Sequence, residues 1–417
     1  MQHLYETWNS GLRQKFLKHD STTCFIHPDV KSQIQIPHTY ALLLIFAAMQ
    51  TQKPAYLFLE DGTTLEGTSL GAEGTSGGEI CFNTGMTGYQ EVFTDPSYTG
   101  QVLVMNNAYV GNYGIHEKDI ESDHVTISAL VCKNISDRFS RMTAGDTLEQ
   151  YLVQNNIVAI HGVDTRALVQ HIRTKGAMNG VVTTEKLSES EVKAALAKIP
   201  KMEGLDLTSQ VGTQNAYFFG REDAPYRLAV VDFGVKRNML QCLADQGGYL
   251  KVFPADTAPE EILSFQPDGI FISNGPGDPA AMEVAAERIA QLLESKVPLF
   301  GICLGHQLLA RASGIKTFKM HHGHRGLNHP VKNLRTGQSE ITTQNHGFVV
   351  CPESVAASGN TEVTHINLND GSVEGICRTD IPAFSVQYHP ESTPGSHDSR
   401  YLFEDFFKLI KEAKKGN

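Results

Sequence analysis

Val297-Pro-Leu-Phe-Gly-Ile-Cys-Leu-Gly-His-Gln-Leu-Leu-Ala310 is the stretch on which the reading of this chain turns. Its apolar opening predicts a buried strand ending at Ile302, with Cys303 at the turn and a helix over 304–313. Gly301 and Gly305 stand two places either side of the cysteine, which is the Gly-x-Ser-x-Gly elbow with Cys in place of Ser. A strand-to-helix turn that tight is crowded, and residues without a Cβ leave room for it. The helix start favours negative charge and offers free backbone N–H groups to an oxyanion. These features point to nucleophilic catalysis by Cys303.

Regular alternation surrounds the elbow. Strands are expected at 228–232, 249–253, 269–273 and 298–302, and helices at 236–246, 258–264, 279–295 and 304–313. Strands alternating with helices at this spacing indicate βαβ units and a mostly parallel, doubly wound sheet. Upstream, Ala55 to Gly67 reads as a hairpin turning at Asp61-Gly62. Residues 66–114 suit short strands, and 125–185 alternate strands such as 124–132 with helices such as 165–173. Residues 186–225 hold a polar helix (187–198) and turn-rich sequence, and read as a linker. The expected organisation is thus α/β, with an N-terminal mixed β/α domain over 54–185 and a C-terminal doubly wound domain over 226–412.

A nucleophilic cysteine needs a base, and the base an orienting group. Near the C-terminus, apolar Phe384-Ser-Val-Gln-Tyr388 runs into His389-Pro-Glu391, where His389 could take the thiol proton and Glu391 could fix its tautomer. Taken alone, His-x-Glu is more usually the pattern of two exposed polar residues. Phe271-Ile-Ser-Asn-Gly-Pro-Gly-Asp-Pro-Ala280 also sits between a strand and a helix. Its Gly275-x-Gly277-x-x-Ala280 resembles a dinucleotide fingerprint, but two prolines stiffen it and it follows the third strand of the domain rather than the first. An oxyanion donor suits it better.

Other classes are excluded by composition. The chain has 417 residues, 41% of them apolar, and a net charge of −11, which argues against nucleic-acid binding. The longest apolar run, Ala41–Met49, covers nine residues, against the roughly 18–20 needed to cross a bilayer. Seven scattered cysteines without a Cys-x-x-Cys suit a reducing, cytoplasmic setting. There is no Gly-x-x-x-x-Gly-Lys-Ser/Thr phosphate loop. His321-His-Gly-His-Arg-Gly-Leu-Asn-His329 invites a zinc reading, but no Cys or acid lies nearby in sequence, so no metal is expected. Residues 1–48 carry four Lys or Arg against three acids and fit neither a signal nor a transit peptide. They are expected to be a non-native or disordered extension, with the true start at Met49.

Together GICLGHQ (301–307), SNGPGDP (273–279) and VQYHPE (386–391) resemble the class I, triad glutamine amidotransferases. Phe82-Asn-Thr-Gly-Met-Thr-Gly-Tyr-Gln-Glu91, Thr94–Tyr98, Gly111–Gly114, Gly162–Arg166 and Gly176–Gly180 narrow this to the glutamine-hydrolysing small subunits of carbamoyl-phosphate synthases, over about 54–412. The loop His321–Arg325 departs somewhat from the usual pattern. The resemblance implies Cys303 as nucleophile, His389 as acid and base, Glu391 as its orienter, and the Gly275 and Leu304 amides as oxyanion donors. It implies glutamine binding by Ser97, Gly277, Gln307, Asn345, Gly347 and Phe348. It further implies a heterodimer, or a higher oligomer, with a large synthetase subunit. That subunit would use ATP and Mg while this chain holds no cofactor, and the carbamoyl phosphate would serve arginine and pyrimidine synthesis. Other readings are a different amidotransferase subunit, a γ-glutamyl hydrolase, or a non-catalytic binding partner. The N-terminal motifs argue against the first two and the intact Cys, His and Glu against the last.

Overall fold

Seven strands close a barrel at the N-terminal end of the computed structural model, which describes residues 53–416. The expectation about residues 1–48 lies outside the described residues. The strands are β1 (Pro54–Leu59), β2 (Thr64–Gly71), β3 (Thr75–Asn83), β4 (Gln101–Met105), β5 (Ala129–Cys132), β6 (Val158–His161) and β7 (Asn179–Thr183), in the order β1-β2-β6-β5-β4-β3-β7. The run β3-β4-β5-β6 is parallel. Its strands are buried on both faces, as parallel strands covered on both sides must be. Val102 and Val104 point to one core with Ile80, Val131 and Ile160. Leu103 and Met105 point to the other, under the helices α1 (Tyr89–Phe93) and α2 (Leu148–Gln154). Helix α3 (Thr165–Lys175) closes the first core through Leu168 and Ile172, with Asp164 capping its start.

The stretch expected to be a linker holds α4 (Glu189–Ala197), opened by a capping box between Ser188 and Glu191, and β8 (Tyr217–Phe219). It also packs Met202 and Leu207 against Phe348. β8 pairs antiparallel with β10 (Gly248–Pro254), at the edge of the second sheet.

Among the described residues the second sheet has ten strands. Its parallel part is β10, β9 (Tyr226–Asp232), β11 (Gly269–Ile272), β12 (Leu299–Ile302) and β17 (Ala383–Val386). Along β9, Leu228 and Val230 join the core under α5 (Arg237–Asp245) and α10 (Tyr401–Gly416), where Phe403, Phe406 and Phe407 pack. Ala229 and Val231 face the opposite core, shared with α6 (Pro259–Ser264), α7 (Glu283–Glu294) and α8 (Leu304–Ala312). Helices on both faces make this the doubly wound arrangement that the alternation predicts.

Three features differ from the sequence-based expectation. The strand expected over 124–132 is confined to β5, Ala129–Cys132. The helix expected over 279–295 is a short 3₁₀ turn, Pro279–Ala281, followed by α7, because Met282 leaves helical geometry at φ −104° and ψ 49°. Beyond Ile315 the sheet continues through four antiparallel strands, β13 (Thr317–Asn333), β14 (Ser339–Val350), β15 (Thr361–Asn367) and β16 (Val373–Arg378), with α9 (Pro352–Ser358) between β14 and β15. The His- and Gly-rich sequence of β13 lacks apolar alternation, and its pairing with β14 shifts register twice.

Candidate active site

Cys303 stands between the end of β12 and the start of α8 with φ 56° and ψ −104°. That is a left-handed conformation for a residue with a Cβ, and it persists only where the surroundings over-determine it. The surroundings do so here. The Cys303 N–H bonds the Val386 carbonyl on β17 at 2.9 Å. A Cβ on Gly301 would lie 2.6 Å from the Gly305 carbonyl, and one on Gly305 would lie 2.2 Å from the Ile272 carbonyl. Both glycines are required by backbone packed against backbone. The thiol is buried, with Sγ 3.6 Å from the Asn345 carbonyl. Leu304 is the first residue of α8, where amides have no intrahelical acceptor.

β17 delivers His389 and Glu391 to the same place. His389 Nδ1 lies 2.8 Å from Glu391 Oε1, and both residues are fully buried. Its Nε2 has no hydrogen-bond partner and is left to the Cys303 side. Burial alone would lower the imidazole, but the Glu391 carboxylate and the Cys303 thiol outweigh it and push it up to about 10. For Glu391, burial would favour the neutral acid. Lys236 and His389 reverse this and hold the carboxyl down at about 2. Lys236 Nζ donates to Glu391 Oε1 at 2.6 Å. The Glu391 carbonyl is fixed in turn by Asn238 Nδ2 at 2.7 Å.

Barrel and sheet meet at the site. The Asn274 amide donates to Ser97 Oγ at 2.9 Å, and its oxygen accepts from the Lys236 backbone at 3.2 Å. Asp95 caps the Ser97 N–H through Oδ1 at 3.0 Å and accepts from Asn345 Nδ2 through Oδ2 at 3.1 Å. Gln307 Nε2 donates to the Phe348 carbonyl at 2.8 Å, tying α8 to β14. Gly277, at φ 106°, would bring a Cβ within 2.7 Å of the Leu205 carbonyl, so the connecting segment is seated on the Ser273–Pro279 loop. Cys303, Ser97, Gly275, Gly277, Gln307, Asn345, Gly347 and Phe348 all line one cavity. Leu304 lies behind it, its side chain against Gly275. His389 and Glu391 approach Cys303 from the β17 side.

Sequence reasoning missed Lys236 and Asp95. Both sit in loops: Lys236 follows a parallel strand at its carboxyl end, where open α/β sheets place ligands, and that position was an available signal. Asp95 carries no local signal beyond its Asp-Pro turn. The histidine-rich stretch finds its acids from far along the chain. His324 Nε2 meets Asp370 Oδ2 at 2.9 Å, and Nδ1 lies 3.5 Å from Glu374 Oε1. His324, His346 and Glu374 form the one His, Cys, Asp or Glu group among the described residues with metal-compatible spacing.

The model of the carbamoyl-phosphate synthase small chain, CPSase domain, matches residues 57–182, and that of class-I glutamine amidotransferases matches 229–409. A carbamoyl phosphate synthase small chain from a Synechococcus strain is 47% identical over 379 residues, covering 88% of this chain and 96% of that protein. Its counterpart from Akkermansia muciniphila is 46% identical, covering 87% and 98%. The Aquifex aeolicus small chain is 45% identical, covering 86% and 100%.

Proposed function

The chain belongs to the family of carbamoyl phosphate synthase small chains, and on that premise we propose that it hydrolyses L-glutamine with a Cys303-His389-Glu391 triad and hands the ammonia to a large synthetase chain. The observation that carries this reading is the strained, buried elbow that holds Cys303 beside His389. The Cys303 thiolate attacks the side-chain amide carbon of glutamine, and the carbonyl oxygen takes the negative charge. The Gly275 and Leu304 amides hold that oxyanion, each donor worth ~10²–10³ in rate. His389, charged when the thiol has given up its proton, protonates the amide nitrogen. Ammonia leaves and a γ-glutamyl thioester remains. Neutral His389 then takes a proton from water, the hydroxide attacks the thioester, and glutamate departs as the thiolate is restored. Glu391, held by Lys236, keeps the imidazole in one tautomer throughout.

Ser97, Gly277, Gln307, Asn345, Gly347 and Phe348 bind the substrate in this reading. The chain itself needs no cofactor; ATP and Mg belong to the large chain, which makes carbamoyl phosphate from ammonia and bicarbonate for arginine and pyrimidine synthesis. A cytoplasmic location accords with six unpaired cysteines among the described residues, and no described helix is long and apolar enough to cross a membrane.

The test uses the full chain assembled with a carbamoyl phosphate synthase large chain. Cys303→Ser should abolish carbamoyl phosphate formation from glutamine and leave formation from ammonium chloride intact. Wild-type glutamine-dependent activity in that variant would refute the mechanism.

A further inference from the structure

The hairpin of β13 and β14 is short of apolar packing: Thr342, Gln344, Asn345 and His346 all fill buried positions on β14. His324 on β13 and His346 on β14 stand opposite each other in the register, with ring centres 5.0 Å apart. Glu374 reaches them from β16, and one of its oxygens lies within 4.8 Å of a ring nitrogen of each histidine. All three side chains are buried, Glu374 completely. None takes part in the proposed triad.

Their donors and acceptors do not match. His346 Nδ1 lies 2.9 Å from the Phe348 carbonyl oxygen, and Nε2 lies 3.1 Å from Gln344 Oε1. Burial keeps this imidazole neutral, and a neutral ring carries one proton. Whichever nitrogen holds it, the other aims a lone pair at an oxygen. Turning the Gln344 amide over would aim its oxygen at Thr342 Oγ1, whose proton goes to the His329 carbonyl. Glu374 Oε1 accepts from Asn367 Nδ2 at 2.9 Å, but Oε2 has no partner. Buried polar groups are nearly always paired, so lone pairs converging without donors mark a place for a cation.

The spacing suits one. His324 Nδ1 stands 3.5 Å from Glu374 Oε1. Two ligand atoms on one tetrahedral zinc ion, at bonds of ~2.0–2.2 Å, are about 3.4 Å apart. His324 Nε2 meets Asp370 Oδ2 at 2.9 Å, the carboxylate–histidine–metal arrangement that fixes a ligating tautomer. Two imidazoles and a carboxylate suit zinc better than magnesium or calcium, which take oxygen ligands. We propose that His324, His346 and Glu374 bind a structural zinc ion that clamps β13, β14 and β16 together, with Asp370 orienting His324. The ion takes no part in the chemistry at Cys303.

Full-length Cys303→Ser protein, in which the active-site thiol cannot capture the ion, is stripped with EDTA and dialysed. Calorimetric titration with zinc chloride should show one site per chain, and cobalt(II) should develop the visible absorption of a tetrahedral ion. Zinc should raise the melting temperature by about 3–5 °C. Glu374→Gln and His324→Asn should each weaken zinc binding by about 100-fold or more, beyond the ~10–100-fold typical when a ligand loses only its hydrogen-bond partner. His321→Asn, which changes an exposed histidine outside the group, should leave binding unchanged. Absence of zinc binding and of cobalt absorption with all three ligands intact would overturn the proposal and leave His324 as a doubly protonated ring between two carboxylates. A zinc site that survives both ligand substitutions would overturn it equally.

Discussion

Lys236 Nζ lies 2.6 Å from Glu391 Oε1 in a site where neither side chain is more than 3% exposed. Lys236 also faces the buried carboxylates of Asp95, between β3 and β4, and Glu121, between β4 and β5. The proposed triad therefore rests on a buried ammonium that also faces two carboxylates of the N-terminal domain.

Removing that ammonium should be severe. Breaking one side of a buried pair leaves an uncompensated charge and typically costs about 3–5 kcal/mol. In Lys236→Met, Glu391 would take up a proton and lose its hold on the His389 ring. Glutaminase kcat should fall at least about 100-fold, the scale of lost acid–base catalysis. Urea unfolding and steady-state kinetics check the two effects separately. Unchanged kcat in a folded variant would contradict this role for Lys236.

The shifted groups set a pH window for stability. Glu391 sits near 2 in the fold against an ordinary 4.5, so its contribution is complete above 4.5 and fades as pH falls toward 2. His389 sits near 10 against an ordinary 6.5, so its contribution is complete below 6.5 and fades as pH rises toward 10. The stability gap between wild type and His389→Asn, from urea titrations, should be widest at roughly pH 6 and narrower at roughly pH 9. A gap that grows with pH would contradict the assignment.

Asp95 offers a third test, because one carboxylate orders both Ser97 and Asn345. Asp95→Ala removes two hydrogen bonds to a charged acceptor, each worth about 1.5–3 kcal/mol when made. The loss falls on the proposed substrate-binding groups and not on the thiol, so KM for glutamine should rise about tenfold or more with a smaller change in kcat. A kcat effect alone would place Asp95 elsewhere in the mechanism.

What could be read in advance follows the range of each interaction. The elbow around Cys303, the parallel strands and the His389–Glu391 pair are local, since each is set by residues within a few positions of one another. Lys236 meets Glu391 across 155 positions and Asp95 meets Asn345 across 250, so neither contact leaves a trace in any window of sequence. The strands β13 and β14 stayed hidden for a different reason. Their sequence is set by the polar network around Arg325, His324 and Asn345, so the apolar alternation that marks a strand is absent. The same polarity made the histidines resemble a metal motif short of acids, although Asp370 and Glu374 supply the acids in space.

The elbow itself gives the sharpest mutational contrast. Gly305 has no positive φ, so an alanine there meets no backbone strain of its own, yet its Cβ would stand 2.2 Å from the Ile272 carbonyl and 3.0 Å from that of Ser273. Those atoms belong to β11 and to the loop carrying Gly275, and they cannot yield without moving the proposed oxyanion donor. Gly305→Ala should cost about 3 kcal/mol, the upper range of overpacking, and should abolish glutamine hydrolysis even where the protein still folds. Gly145 has open space around it and no positive φ, so Gly145→Ala should leave both stability and turnover unchanged. Thermal melts and glutaminase assays on the two variants decide the matter. Full activity in Gly305→Ala would mean that the backbone at Cys303 is not held as rigidly as its packing indicates.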